Sequence, residues 1–193
     1  MKTPSKKSIP ASENDINNEV RNVSLHSPGG GPLYILAPFV ATPQDVVDRM
    51  LKLADVTGND VVYDLGCGDG RIIITAAKQY GAPGVGVDLE PYRVEESKAN
   101  AKEAGVEHLV TFLLQDALTV DLSPATVVML YLVEWSTVKL KPILTRQLKA
   151  GARIVSHNYN MGDWEPASIE TFSDATGKTH TLYLWHAEGN AGS

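Results

Sequence analysis

The sequence contains a single cysteine, Cys67, few aromatic residues (7%) and no long apolar run. One cysteine excludes an intrachain disulfide and a multi-cysteine metal site, so we expect no metal ion. No stretch approaches the roughly 20 apolar residues of a membrane-spanning helix, and the N-terminal region lacks the apolar core of a signal peptide. We therefore predict a cytoplasmic, monomeric protein that does not insert into a membrane.

Positive charge is also scarce. Lys and Arg number 17 against 23 Asp and Glu, which gives a net charge of −6. Binding of duplex nucleic acid requires a concentrated positive face, so the charge balance argues against it. The 193 residues, 43% of them hydrophobic, fit one compact domain with little left over.

The N-terminal residues 1–32 differ in composition from the rest of the chain. They are rich in Ser, Asn, Lys, Gly and Pro and contain no aromatic residue. Such a segment buries too little apolar surface to offset the entropy of ordering it. We predict a flexible N-terminal arm over residues 1–32 and a folded domain over residues 33–193.

From Leu33 onward, apolar runs rich in β-formers alternate with amphipathic helical patterns. The runs predict parallel strands over 61–65, 85–88, 110–114, 126–132 and 152–157. The helical patterns lie over 43–54, 71–79, 91–104 and 138–148. Two alternating segments around a turn predict an antiparallel hairpin over 169–172 and 180–185. Together they predict an α/β fold, a three-layer sandwich whose seven-stranded, mostly parallel sheet carries a C-terminal antiparallel hairpin.

Chemically informative residues follow the predicted strands, where the ligands of such sheets bind. The loop after the first strand is D-L-G-C-G-D-G, Asp64 to Gly70. The second strand ends in Asp88, placed to accept hydrogen bonds from ribose hydroxyls, and the third leads to Asp116, which suits an adenine amino group. A glycine-rich turn alone can be only a tight connection, and Asp88 alone a solvated turn residue. All three features in order indicate a nucleotide site.

The glycine spacing distinguishes between nucleotides. Dinucleotide-binding loops have G-x-G-x-x-G, whereas Gly66, Gly68 and Gly70 give G-x-G-x-G, and no Gly-Lys-Ser/Thr of a P-loop follows. This pattern resembles the class I, Rossmann-like S-adenosylmethionine (AdoMet) methyltransferases over residues 33–185. The flanking segments 37–43, 62–72, 84–88, 121–128 and 151–157 resemble a narrower family. It comprises the archaeal broad-specificity protein lysine methyltransferases and the mitochondrial ATP synthase c-subunit lysine methyltransferases.

The resemblance implies AdoMet as cofactor and assigns roles around it. Asp64 to Gly70, including Gly66, Cys67 and Gly68, would cradle the methionine end. Asp88 would hold the ribose, and Leu89 would pack on the adenine. The remaining implied contacts are Asp116 and Ala117 at the amino edge of the adenine, with Thr42 and Phe39 covering the cofactor and the lysine channel.

The methyl acceptor would lie beyond the fourth and fifth strands. Our first candidate for lining its pocket, and for a catalytic role, is Tyr131, although it could simply be core. The other candidates are Glu134, Trp135, His157, Tyr159 and Trp164. Each has a structural alternative: Trp135 in helix packing, His157 as a hydrogen-bonded strand end, and Trp164 as a hairpin anchor.

We therefore predict an AdoMet-dependent protein-lysine N-methyltransferase that uses in-line displacement and acts on a protein presenting a lysine. The alternatives are a small-molecule N- or O-methyltransferase and a catalytically inactive AdoMet-binding module. The Asn/Asp-Pro-Pro-Tyr/Phe motif of adenine-N6 and glutamine methyltransferases does not follow the fourth strand. Two departures from the family, Ala41 in place of Pro and the segment 133–135, leave the identity of the substrate open.

Overall fold

The computed structural model describes residues 39–189 and, upstream, the backbone of two short strands, β1 (Ser24–His26) and β2 (Pro32–Tyr34). These two strands pair antiparallel. The chain divides into two compact units, residues 1–38 and 39–193. Most of the predicted arm lies outside the described residues, so the flexible arm stays a prediction.

The second unit alternates helices and strands. Its helices are α1 (Gln44–Leu53), α2 (Arg71–Tyr80), α3 (Pro91–Glu103) and α4 (Glu134–Gln147). Its strands are β3 (Val62–Leu65), β4 (Gly84–Asp88), β5 (Val110–Leu114), β6 (Val127–Leu130), β7 (Arg153–His157), β8 (Ser168–Ser173) and β9 (Thr179–His186).

The strands form one seven-stranded sheet in the order β5-β4-β3-β6-β7-β9-β8. The first five in that order are parallel, whereas β9 runs antiparallel to both β7 and β8. The predicted fold class is thus confirmed. The chain order reverses between β3 and β6, so the carboxyl ends of these strands border the crevice in which such sheets bind ligands.

Helices and sheet share a core because the buried residues follow the period of each element. Val46, Val47, Met50 and Leu51 recur at helical spacing on α1 and are fully buried. On one face of the sheet they join alternate strand residues such as Val127 and Met129 in a single apolar cluster. The intervening Val128 and Leu130 point to the opposite face, where α4 contributes buried Leu140 and Leu144.

The predicted start of α4 was wrong, because the helix begins at Glu134 and not at Val138. No Ser, Thr, Asp or Asn precedes it, and the extended Val133 occupies the cap position without a side-chain hydrogen bond. Thr137 fixes the first turn instead, since its hydroxyl donates to the carbonyl of Asn160 at 2.7 Å. Tyr131 correspondingly lies just after β6 and not within a strand ending at Leu132.

Within residues 39–189 no helix is long and apolar enough to cross a membrane. The same described residues contain no group of three or more His, Cys, Asp or Glu side chains that could hold a metal ion.

Candidate active site

The loop after β3 turns at three glycines. Gly66, Gly68 and Gly70 all have positive φ angles (85°, 55° and 80°), a region that residues with a Cβ rarely adopt. The amides of Gly66 and Cys67 donate to the carbonyl of Val87 at 2.8 and 3.0 Å, which joins the loop to β4. Gly70 then precedes the first turn of α2. The loop is therefore a fixed concave backbone at the sheet's carboxyl edge.

Two side chains of α3 hold this loop from the other side. The buried Ser97 hydroxyl donates to the carbonyl of Gly68 at 2.8 Å, and the Asn100 amide donates to the carbonyl of Asp69 at 2.9 Å. Sequence reasoning did not find these residues. The spacing of Ser97 and Asn100, one turn apart on a helix, puts both on one face, but nothing in that pattern names the loop as their partner.

Asp88, at the end of β4, connects the loop to the predicted ribose side of the crevice. One carboxylate oxygen accepts the amide of Gly68 at 2.9 Å and the other accepts the amide of Glu90 at 3.0 Å. Each carboxylate oxygen can accept a further hydrogen bond. Asp88 therefore fixes the middle glycine of the loop and keeps acceptor capacity for hydroxyl groups of a ligand.

Asp64 is a buried acid with no hydrogen-bond partner among the described residues. Its side chain is 2% exposed. Burial raises the pKa of this carboxyl to about 8, and the neighbouring charges of Asp88 and Asp69 add to the effect. A cation brought next to Asp64 would relieve both penalties. The site therefore favours a ligand with an ammonium group, such as the methionine end of AdoMet.

The side chain of Cys67 packs beneath the loop and is not an activated nucleophile. It is buried, its sulfur lies where a Cβ at Gly86 would come within 2.8 Å, and burial raises the pKa of its thiol, with the charges of Asp64 and Asp88 adding to the effect. Because a thiolate is the reactive form, this cysteine is not an activated nucleophile.

The predicted adenine side follows β5. The carboxylate of Asp116 accepts the amide of Leu118 at 2.9 Å through one oxygen. Ala117 beside it is buried, and Leu89, just beyond β4, is half-buried. The amide of Gln115 donates to the carbonyl of Asp88 at 3.0 Å, so the ends of β4 and β5 are held together. The roles of these residues in adenine binding stay predictions.

The segment before α1 also reaches the loop. The ring of Phe39 lies so close to Gly68 that a Cβ there would be 2.3 Å from it, and the Arg93 guanidinium lies 3.6 Å from the ring centroid. The carbonyl of the buried Thr42 accepts a hydrogen bond from Arg71 at 2.8 Å. Phe39 therefore does cover the glycine loop, whereas contact of either residue with a ligand stays a prediction.

The predicted acceptor residues Tyr131 and His157 lie side by side after β6 and at the end of β7. Their ring centroids are 4.0 Å apart. Burial raises the pKa of Tyr131, so its phenol keeps its proton at neutral pH, and its hydroxyl has no hydrogen-bond partner among the described residues. His157 is fully buried, and burial, with the nearby His180 and Lys178, lowers its pKa to about 3.

The remaining acceptor candidates differ in their surroundings. Trp135 lies in the first turn of α4, its indole Nε1 is buried without a partner among the described residues, and the Lys139 ammonium lies 4.6 Å from its ring. Glu134 beside it is exposed. The carbonyl of Trp164 accepts a hydrogen bond from the indole of Trp185 at 2.8 Å, which matches the hairpin-anchor alternative. Tyr159 is half-buried, and its carbonyl accepts the Ser156 hydroxyl at 2.6 Å.

Comparison with known proteins agrees with this geometry. Residues 64–168 match the family model of the ANTKMT methyltransferase domain. A protein-lysine N-methyltransferase of Saccharolobus islandicus (strain REY15A) is 43% identical over 77% of this chain and 92% of its own length. An ATP synthase c-subunit lysine N-methyltransferase of Xenopus laevis is 34% identical over 68% of this chain, which spans just 58% of that relative.

A solved structure is similar as well. It is described as an RNA methyltransferase from Salinibacter ruber in complex with S-adenosyl-L-homocysteine (AdoHcy), and it superposes with a TM-score of 0.72. Sequence identity is 49%, and the match covers 80% of this chain and 97% of that one.

The fold and the glycine loop define the class, an AdoMet-dependent methyltransferase. Within that class the chain belongs to the family of the ANTKMT methyltransferase domain. The predicted family, enzyme class and cofactor are thereby confirmed. The residues present fit AdoMet, since the unpartnered carboxyl of Asp64 suits its ammonium group and the Asp88 carboxylate keeps acceptor capacity for its ribose hydroxyls.

Proposed function

We propose that this protein transfers methyl groups to the ε-amine of lysine side chains in protein substrates. The observation that carries the proposal is the 43% identity to a protein-lysine N-methyltransferase along 92% of that relative. The relatives that methylate lysine in the ATP synthase c subunit support the same acceptor chemistry.

Bound AdoMet supplies an electrophilic methyl group on a sulfonium, which an amine displaces in line. The protein must therefore hold the acceptor nitrogen on the far side of that methyl group. A lysine amine has an unperturbed pKa of about 10.4 and is protonated at neutral pH. Transfer thus needs a pocket that lowers the amine pKa by desolvation and accepts its proton.

The aromatic residues beyond β6 supply such surroundings. The half-buried ring of Tyr131 would line the pocket, and its unpartnered hydroxyl oxygen can accept a hydrogen bond from the amine. Trp135 would add a second apolar surface. The exposed carboxylate of Glu134, in the same first turn, would attract a cationic lysine and can take its proton.

The rim of the site supports a large acceptor. Twelve residues, 115–126, connect β5 to β6, and five, 174–178, connect β8 to β9. Neither connection contains a helix or strand of its own that would form a lid over the crevice. A side chain presented on a protein surface could therefore enter from the carboxyl edge of the sheet, whereas many enzymes for small molecules enclose theirs.

The test offers methyl-labelled AdoMet to the purified protein with three fractions of a cell lysate: proteins, RNA and small molecules. We expect protease-sensitive, nuclease-resistant label, lost in Asp88→Ala. The matched control is Glu95→Gln, an exposed acid of α3 that pairs with Lys98 on the same helix. Each variant removes one negative charge. A difference in labelling between them therefore reports the loss of Asp88 and not the change in net charge.

The similar structure described as an RNA methyltransferase makes RNA the second acceptor to examine. Nuclease-sensitive label would show that RNA, and not lysine, is the methyl acceptor. Label confined to the small-molecule fraction would show a small-molecule acceptor. The net charge of −6 argues against a wide phosphate contact. A cytoplasmic location and a monomeric state stay predictions.

A further inference from the structure

A chain of hydrogen bonds runs from the β8–β9 turn to the predicted acceptor pocket. The Asp174 carboxylate lies 3.0 Å from His180 Nε2, and His180 Nδ1 lies 2.8 Å from His157 Nε2. His157 and His180 are 0% and 1% exposed. The ring of His157 in turn contacts Tyr131. None of the links between Asp174 and Tyr131 was visible in the sequence.

The turn itself holds Asp174 firmly. Its other carboxylate oxygen accepts the amide of Thr176 at 2.9 Å, the hydroxyl of Thr176 at 2.7 Å and the amide of Lys178 at 2.9 Å. Hydrogen bonds from His180 and Thr176 keep the pKa of Asp174 well below its usual value. Asp174 is therefore ionised and can only accept hydrogen bonds.

With both imidazoles in their neutral form, an accepting Asp174 sets the tautomer of each ring. His180 must donate through Nε2, which leaves its Nδ1 as an acceptor. His157 must then donate through Nε2, which leaves its own Nδ1 without a proton. His157 Nδ1 is buried and has no hydrogen-bond partner among the described residues. The series of hydrogen bonds from Asp174 thus ends at His157, whose ring has a fixed orientation and a fixed proton position.

This arrangement is poorly explained as packing. A buried polar atom without a partner costs about 1–3 kcal/mol, and an apolar side chain of similar volume would avoid that cost. Phe172, whose ring lies 5.6 Å from that of His180, already fills space beside the chain. Two buried, hydrogen-bonded imidazoles, of which His157 contacts Tyr131, therefore indicate a functional role beside the predicted acceptor pocket.

We propose that Asp174 and His180 are positioning residues for methyl transfer, which fix the tautomer and orientation of His157 so that it supports Tyr131 at the acceptor pocket. The proposal rests on the proposed function, because it takes Tyr131 as the pocket wall. The β8–β9 turn would then affect the rate of methyl transfer, although the two strands that it joins contribute no residue to the glycine loop.

The decisive variant is Asp174→Asn. The asparagine oxygen can still accept from Thr176 and Lys178, whereas its NH2 group would face His180 Nε2 and reverse both tautomers. We expect kcat to fall about 10-fold. The same acid-to-amide change in a serine protease triad lowers kcat roughly 10⁴-fold, and the effect should be smaller here because no proton passes along a triad. KM and the AdoHcy Kd should stay within about twofold of wild type.

Two further variants separate positioning from folding. Glu170→Gln makes the same acid-to-amide change on β8, at an exposed ion pair with Arg49, and should leave kcat unchanged. His180→Asn places an amide oxygen near the former Nδ1, so it can accept from His157 without help from Asp174. Adding Asp174→Asn to His180→Asn should therefore lower kcat less than Asp174→Asn does alone.

Nitrogen-15 NMR of the imidazole rings supplies a readout that needs no acceptor. Wild type should show His157 protonated at Nε2, and Asp174→Asn should move that proton to Nδ1. A wild-type His157 protonated at Nδ1 would overturn the proposal, as would a moved proton with unchanged kcat. Transfer is followed with whichever acceptor fraction is labelled, so failure of lysine as acceptor remains distinguishable from failure of the positioning chain.

Discussion

The two halves of the crevice are built on different principles. The cofactor half, around β3 and β4, depends on a continuous stretch of backbone from Asp64 to Gly70. The acceptor half, around β6 and β7, depends on side chains that come together only through the sheet, such as Tyr131 and His157. The first half can therefore be common to many methyltransferases, while the second is free to change with the substrate.

Damage to one half should consequently leave the other intact. The largest effect is expected for Asp88→Ala, which removes the acceptor for the amide of Gly68 and the predicted acceptor for a ribose. Hydrogen bonds to charged groups are worth about 1.5–3 kcal/mol, so we expect the AdoHcy Kd to rise about 100-fold. Isothermal titration calorimetry measures the Kd, with Glu95→Gln as control. A change below about threefold would contradict the assigned role.

Tyr131→Ala should damage the other half alone. We expect kcat to fall about 30-fold through loss of the pocket wall, while the AdoHcy Kd stays within about twofold. Tyr131→Phe keeps the ring contact with His157 and removes only the hydroxyl, so its kcat measures the contribution of the hydroxyl alone. Tyr92→Ala, at an exposed tyrosine of α3, serves as the control for loss of a tyrosine. Weakened AdoHcy binding in Tyr131→Ala would show that the halves are coupled.

Gly68→Ala tests the backbone of the cofactor half. Its φ of 55° disfavours a side chain, and the new Cβ would lie 2.3 Å from the Phe39 ring. We expect about 1–2 kcal/mol of lost unfolding free energy and about tenfold weaker AdoHcy binding. Gly177→Ala has a φ of 85° with nothing within 4 Å, so it reports backbone strain alone.

The double variant Gly68→Ala with Phe39→Ala removes the clash but keeps the strain. Chemical denaturation and AdoHcy titration should recover part of each loss. No recovery would mean that Phe39 does not restrict the loop.

Acid should destabilise the acceptor half through His157. Its pKa is about 3 in the folded protein and 6.5 in the reference state. Between these values the unfolded chain binds more protons, so stability falls as the pH falls through this window. We expect about 1–2 kcal/mol less unfolding free energy at about pH 5 than at about pH 7. His157→Phe cannot be protonated and should flatten the profile in denaturant titrations. An equal slope in wild type and variant would assign the effect elsewhere.

Asp64 should give the cofactor half its own, smaller pH dependence. The carboxyl has a pKa of about 8 in the free protein, and a ligand ammonium favours its ionised form. Binding should therefore release a proton near neutral pH, and AdoHcy affinity should rise a few-fold as the pH rises towards about 8. Calorimetry in buffers of different ionisation enthalpy counts the released protons. Asp64→Asn should release none through this group, and proton release equal to wild type would contradict the assignment.

The contrast between the halves also explains which residues could be predicted from the sequence. Asp64, Gly66, Gly68 and Asp88 were identified because local spacing and strand ends determine their positions. The hydrogen bond between His157 and His180 depends on the antiparallel register of β7 and β9, in which His157 faces Leu182, and no local pattern encodes it. The start of α4 was missed for a related reason, because a contact from Thr137 to the distant Asn160 replaces a cap in the sequence.

Lysine methylation itself is best examined by mass spectrometry of lysate proteins treated with this protein and AdoMet carrying a deuterated methyl group. We predict deuterated methyl groups on lysine Nε atoms with wild type, and none with Asp88→Ala. Deuterated methyl groups on another side chain or on RNA, with intact AdoHcy binding, would contradict the proposed function.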